Sequence, residues 1–126
     1  MRIVSRDEFL KLPPGTIFTT YAPCWFGRPS IKRESIEGRD LNTGAPTGPI
    51  DFYYLPLQGE MPGDSDLEMV QNMENMARDS AISLPLEFDV ESRDGFYAQS
   101  QLFAVWEAAD VQTCIVLLLR SIQGEA

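Results

Sequence analysis

The chain has 126 residues, 44% of them apolar, with nine Gly, nine Pro and a net charge of −9, the size and composition of one folded domain rather than of a disordered or fibrous chain. It contains no histidine, which excludes Ser-His-Asp and Cys-His catalysis and every His-ligated metal site. Residues 1–59 carry seven basic and six acidic side chains and residues 60–126 three and thirteen, so the second half repels nucleic-acid backbones.

The first residues, Met1 to Glu8, hold no apolar signal region, and the longest apolar run, Cys114 to Leu119, is far too short to span a bilayer. The chain therefore reads as cytoplasmic. The two cysteines, Cys24 and Cys114, lie far apart in sequence and read as free thiols.

Taken in chain order, Ser5-Arg6-Asp7-Glu8 is a capping box, a Ser N-cap with Glu three residues on, and it predicts a short helix to about Leu12. Pro13-Pro14-Gly15 ends that helix. Thr16 to Tyr21 is rich in β-branched and aromatic residues and predicts a strand. A turn follows at Ala22 to Gly27, then a second strand from Ser30 to Ile36. Residues 37–49, with three Gly and two Pro, read as a surface loop. A third strand is expected from Asp51 to Leu57.

Ser65-Asp66-Leu67-Glu68 is a second capping box and opens a helix to about Arg78. From Leu84 to Val90 apolar and acidic residues alternate, the pattern of a half-buried strand. Asp94-Gly95 is a hairpin signal, which pairs that strand with one from Leu102 to Trp106. A last helix is expected over Ala108 to Gln123, with Asp110 in its first turn and Arg120 near its end. Cys114 to Leu119 leaves that helix without a polar face, which points to burial or to a subunit contact. The expected architecture is a single α+β domain over residues 1–126. It has an antiparallel sheet of four to six short strands, with helices packed on one face, among them those near 65–78 and 109–123.

Several clusters bear on chemistry. Tyr21, Trp25, Phe26, Arg28, Lys32 and Arg33 fall within thirteen residues. Aromatic faces stack on bases and the Arg fork grips phosphate, although a folded hairpin with an aromatic turn has the same composition. Tyr53, Tyr54 and Arg93 are possible additions to this set. Without a histidine base, Cys24 is not expected to be a nucleophile. Asp64, Asp66 and Glu68 resemble the start of a calcium loop, but the Gly and Glu that complete the pattern are missing, and acidic residues suit a helix N-terminus anyway. Glu87, Asp89, Glu91 and Asp94 read as the solvated face of a strand before they read as an acid/base pair. No catalytic residue, metal site or cofactor is expected.

The stretch Ser5-Arg6-Asp7-Glu8-Phe9-Leu10-Lys11-Leu12-Pro13-Pro14-Gly15-Thr16-Ile17-Phe18, with Tyr21-Ala22-Pro23-Cys24, resembles the opening of a group of small phage and prophage proteins. Phe88-Asp89, Arg93-Asp94-Gly95, Gln101 to Glu107 and Asp110-Val111 are similar to that group as well. The likeness covers about half of the chain, leaves out residues 37–49, which look like an insertion, and carries no assigned chemistry. It implies a phage-type accessory protein with an anti-defence role. Two functions are compatible with it. One is a non-enzymatic sponge that sequesters a small, anionic, nucleotide-like immune signal at Tyr21, Trp25, Phe26, Arg28, Lys32, Arg33, Tyr53 and Arg93. The other is an acidic protein–protein inhibitor of a host defence complex, of the anti-CRISPR or DNA-mimic type, or a toxin-immunity protein. A carboxylate-based enzyme trails both. Neither nucleic acid nor membrane is an expected partner, and a homo-oligomer, most simply a dimer, is the expected assembly.

Overall fold

In the computed structural model, which describes residues 1–125, the chain begins with β1 (Arg2–Val4), a strand that sequence patterning does not reveal. The Ser5 hydroxyl then accepts from the Glu8 N–H and starts α1 (Arg6–Leu10). Strands β2 (Ile17–Ala22), β3 (Trp25–Phe26), β4 (Ser30–Arg39) and β5 (Pro46–Pro56) follow. Next come α2 (Asp66–Arg78), β6 (Ser92–Arg93), β7 (Leu102–Val105) and α3 (Ala108–Ile122).

All seven strands join one antiparallel sheet in the order β1-β7-β2-β4-β5-β6, with β3 folded back on β2. The fold class is α+β with an antiparallel sheet, as the turn-bounded strand patterns imply.

The core is aromatic. Phe9 of α1 lies flat on Phe103 of β7, with centroids 4.1 Å apart and planes within 6°. It meets Phe52 of β5 edge-on at 5.0 Å and Phe18 of β2 at 4.6 Å. Each of these four rings is at most 3% exposed. Burying a ring removes roughly 150–250 Å² from water, so this quartet is the main apolar anchor of a small core.

Three expectations change. Residues 37–49 are not an irregular loop: β4 runs on to Arg39 and β5 starts at Pro46, joined by a turn in which Asp40 Oδ1 accepts from the Asn42 and Thr43 N–H groups. Register shifts between Lys32 and Arg39 absorb the Gly and Pro residues that look like loop signals. Second, Leu84 to Val90 is not a strand of the sheet. It makes one bridge, Glu60 to Glu87, and Leu86, Phe88 and Val90 stay exposed. The partner expected for it, β7, pairs instead with β1 and β2. Third, α1 is the helix packed on the sheet, whereas α2 and α3 contain no buried residue. Ile115, Leu117, Leu118 and Ile122 of α3 are all at least half exposed. Among the described residues, no helix is long and apolar enough to cross a membrane.

Candidate functional site

Alternate residues along a strand share a face. Phe18 and Thr20 of β2, Ser30 of β4, and Phe52 and Tyr54 of β5 are brought together in this way, and they floor an open cavity of about 450 Å³. One wall is built by β3 and the residues after it, which contribute Trp25 and Arg28; the other is the segment 94–101, which contributes Asp94, Phe96, Ala98 and Gln101. Arg6 also lines the cavity.

The first wall depends on the turn that the sequence singles out. Ala22 pairs with Trp25, so Pro23 and Cys24 form a two-residue connection, and Cys24 takes the left-handed backbone, φ 63°, that completes a tight reversal after proline. Its thiol is exposed and free. Gly27 donates to the Thr20 carbonyl at 2.9 Å, and a Cβ there would fall 2.1 Å from Thr20 Oγ1. Glycine thus lets this arm approach β2 closely enough for Trp25 and Arg28 to flank the cavity. Trp25 is 60% exposed, and Arg28 has only a loose pairing with Glu60, 3.9 Å away.

An ion network built on the buried Asp51 and Arg6 anchors the second wall. Asp51, fully buried, accepts from Arg93 Nε at 2.6 Å, from the Phe52 N–H at 2.9 Å and from the Gly95 N–H at 3.2 Å. Gly95 has φ 69°, a conformation suited to glycine, and this turns the chain so that its N–H meets the carboxylate. Burial is the largest influence on Asp51 and raises its pKa, but the bonds from Arg93, Phe52 and Gly95 together outweigh it and hold the carboxyl below its ordinary range. Arg6, 1% exposed, donates to Asp94 at 3.2 Å and to the Ile50 carbonyl at 3.0 Å, and lies 3.6 Å from Asp51. Its Nε–H, closed off from solvent, has no hydrogen-bond partner among the described residues. Arg93 also donates to the Tyr97 hydroxyl. These bonds fix the start of the segment that carries Phe96, which is 82% exposed at the cavity mouth.

Of the residues expected from sequence, Trp25 and Arg28 line the cavity, as does Tyr54. Tyr21 and Phe26 pack on each other beside it, with centroids 5.8 Å apart. Tyr53 alternates to the opposite side of β5 from Tyr54 and pairs with Arg93 across the β5–β6 ladder. Arg93 is held on Asp51 and Tyr97. Arg33 pairs with Glu91 at 3.2 Å. Lys32 is 1% exposed, and its ammonium donates to the Arg33 carbonyl and to Ser35 Oγ. Burial lowers its pKa, against the attraction of Glu34. Sequence reasoning missed Arg6, Asp51, Phe96 and Gln101. In sequence Arg6 is only the residue after the Ser5 cap, and its place in a sheet-packed α1 is what buries it. Phe96, an aromatic directly after Arg93-Asp94-Gly95, is the one signal that patterning could have caught.

Compared with known protein families, curated proteins and solved structures, the chain matches none.

Proposed function

We propose that the protein binds and sequesters a small, anionic, nucleotide-like ligand in this cavity, without turning it over. The observation that carries the reading is the joining of exposed aromatics, Trp25 and Phe96, with one weakly paired cation, Arg28, at the mouth of an apolar cavity. Aromatic faces stack on bases and guanidinium forks hold phosphates. A concave, mostly apolar site with a few polar groups is the ordinary form of a small-molecule site. A sponge needs affinity and no catalytic group, which suits a chain without histidine. With the phage-type resemblance, the role is that of an anti-defence protein acting in the host cytoplasm.

The acting form is a homo-oligomer, most simply a dimer. The support is the uncovered apolar surface of α3, of α2 at Leu67, Val70 and Met73, and of the 82–90 segment, since exposed apolar surface that gathers into a patch marks a contact surface.

Thermal-shift titration with nucleoside phosphates and cyclic nucleotides tests the function. The expected outcome is a concentration-dependent rise in melting temperature that Trp25→Ala and Arg28→Ala abolish, with the ligand recovered unchanged. Absence of any shift across that panel at millimolar concentration overturns the reading.

A further inference from the structure

The polar groups of the cavity are not equivalent, and their difference fixes which end of a ligand enters first. We infer that the neutral nucleobase, and not the phosphate, occupies the inner part of the cavity, with the phosphate held at the mouth by Arg28; this rests on the ligand-binding reading above.

At the inner end, Arg6 and Asp94 belong to the network completed by Asp51 and Arg93. Two guanidinium groups and two carboxylates leave no net charge there. A phosphate in that place would gain no uncompensated cation, and it would sit against the Asp94 carboxylate. The cost of desolvating an anion is met only by a net attraction.

What the inner end does offer a neutral ligand is a hydrogen-bond acceptor over an apolar bed. Asp94, whose side chain is 15% exposed, is that acceptor. A base edge carries N–H donors that a carboxylate accepts, whereas a phosphate dianion presents acceptors alone. Phe52 and Tyr54 form the apolar bed beneath.

The mouth has the opposite character. The Arg28 side chain is 53% exposed, and its carboxylate neighbour Glu60, at 3.9 Å, is too far for a strong pair. That leaves a guanidinium ready to take a phosphate in a charge-assisted bond.

Calorimetric titration of the intact protein with adenosine, AMP and ribose 5-phosphate tests the orientation. AMP is expected to bind about ten- to a hundredfold more tightly than adenosine, the value of one charged hydrogen bond, and adenosine more tightly than ribose 5-phosphate. The AMP advantage should shrink in 0.5 M salt, because an exposed charge contact is screened. Arg28→Ala should bring AMP down to the adenosine level. Ribose 5-phosphate binding as well as adenosine or better, or AMP and adenosine binding equally, overturns the orientation while leaving the cavity as a ligand site. Failure of all three probes to bind, alongside an empty thermal-shift panel, removes the ligand-binding reading itself and the orientation with it.

Discussion

The sheet with α1 and the pair α2 and α3 are built on opposite terms. In the first region, four phenylalanine rings from α1, β2, β5 and β7 meet within 4.1–5.9 Å, and two buried cations, Arg6 and Lys32, are held by hydrogen bonds. In the second region, α3 is as apolar as a core helix yet leaves Leu117 56%, Leu118 61% and Ile122 84% exposed. A run of apolar residues therefore does not by itself show that the same chain buries it. The cavity belongs to the first region. Its floor is the continuation of the aromatic core along β2 and β5, so the shape of the cavity and core packing are coupled.

Truncation should break this contrast most visibly. Phe9→Ala removes the ring at the centre of the quartet and is expected to cost about 3–5 kcal/mol of stability at any protein concentration. Leu118→Ala in α3 should do little to a single chain and show its effect as a concentration-dependent loss of melting temperature. Denaturant unfolding of both variants at two protein concentrations checks this. Equal, concentration-independent losses would place α3 in the core of the single chain.

The ion network should be nearly as sensitive. Asp51→Asn removes the buried carboxylate that holds Arg93 and the Gly95 N–H, while Arg6 keeps Asp94, and should cost about 1.5–3 kcal/mol. The pH dependence follows from the same carboxyl. Its folded pKa is depressed, so the stability it supplies is present above the ordinary aspartate range near pH 4 and is lost as pH falls through the folded value. Urea midpoints measured down to pH 2 should fall in that window for the parent and much less for Asp51→Asn. Parallel curves would show that other carboxylates govern acid unfolding.

A single charge placed on the apolar face sharpens the contrast further. Leu118→Glu should shift the light-scattering mass from a multiple of the chain to one chain, with the circular dichroism of the sheet retained. A parent that is monomeric at micromolar concentration contradicts the proposed assembly. The smallest effect concerns two cations four residues apart. Lys32→Met removes a charge that burial already disfavours and should change melting by only a few degrees and ligand affinity not at all, whereas Arg28→Ala should lower affinity about ten- to a hundredfold.

Local chemistry made much of this legible in sequence. Both Ser capping boxes start helices where expected, with Ser5 accepting from Glu8 and Ser65 from Glu68, because a cap is decided within four residues. The strand cores 17–21, 30–36 and 51–56 are likewise visible in their β-branched and aromatic runs. The pairing of β7 between β1 and β2 is not, since it joins residues about a hundred positions apart and β1 is only three residues long. Leu84 to Val90 has the alternation of a strand without an edge to pair with, and period alone cannot say whether a partner exists. Within the site, Trp25 and Arg28 were legible from composition. Lys32 was not separable from them, because the burial that removes it from solvent depends on strand register and on α1 lying above it, as the 5.9 Å approach of its ammonium to the Phe9 ring shows. Arg6 and Asp51 were hidden for the same reason: they meet only when α1 packs on β5.

Fluorescence of Trp25 tests the central claim most directly. With Trp106→Phe leaving Trp25 as the sole tryptophan, titration with AMP should give a saturable change in emission whose dissociation constant matches calorimetry, and Arg28→Ala should weaken both by the same factor. Binding detected by calorimetry with no change in Trp25 emission would place the ligand elsewhere and contradict the assignment of the cavity.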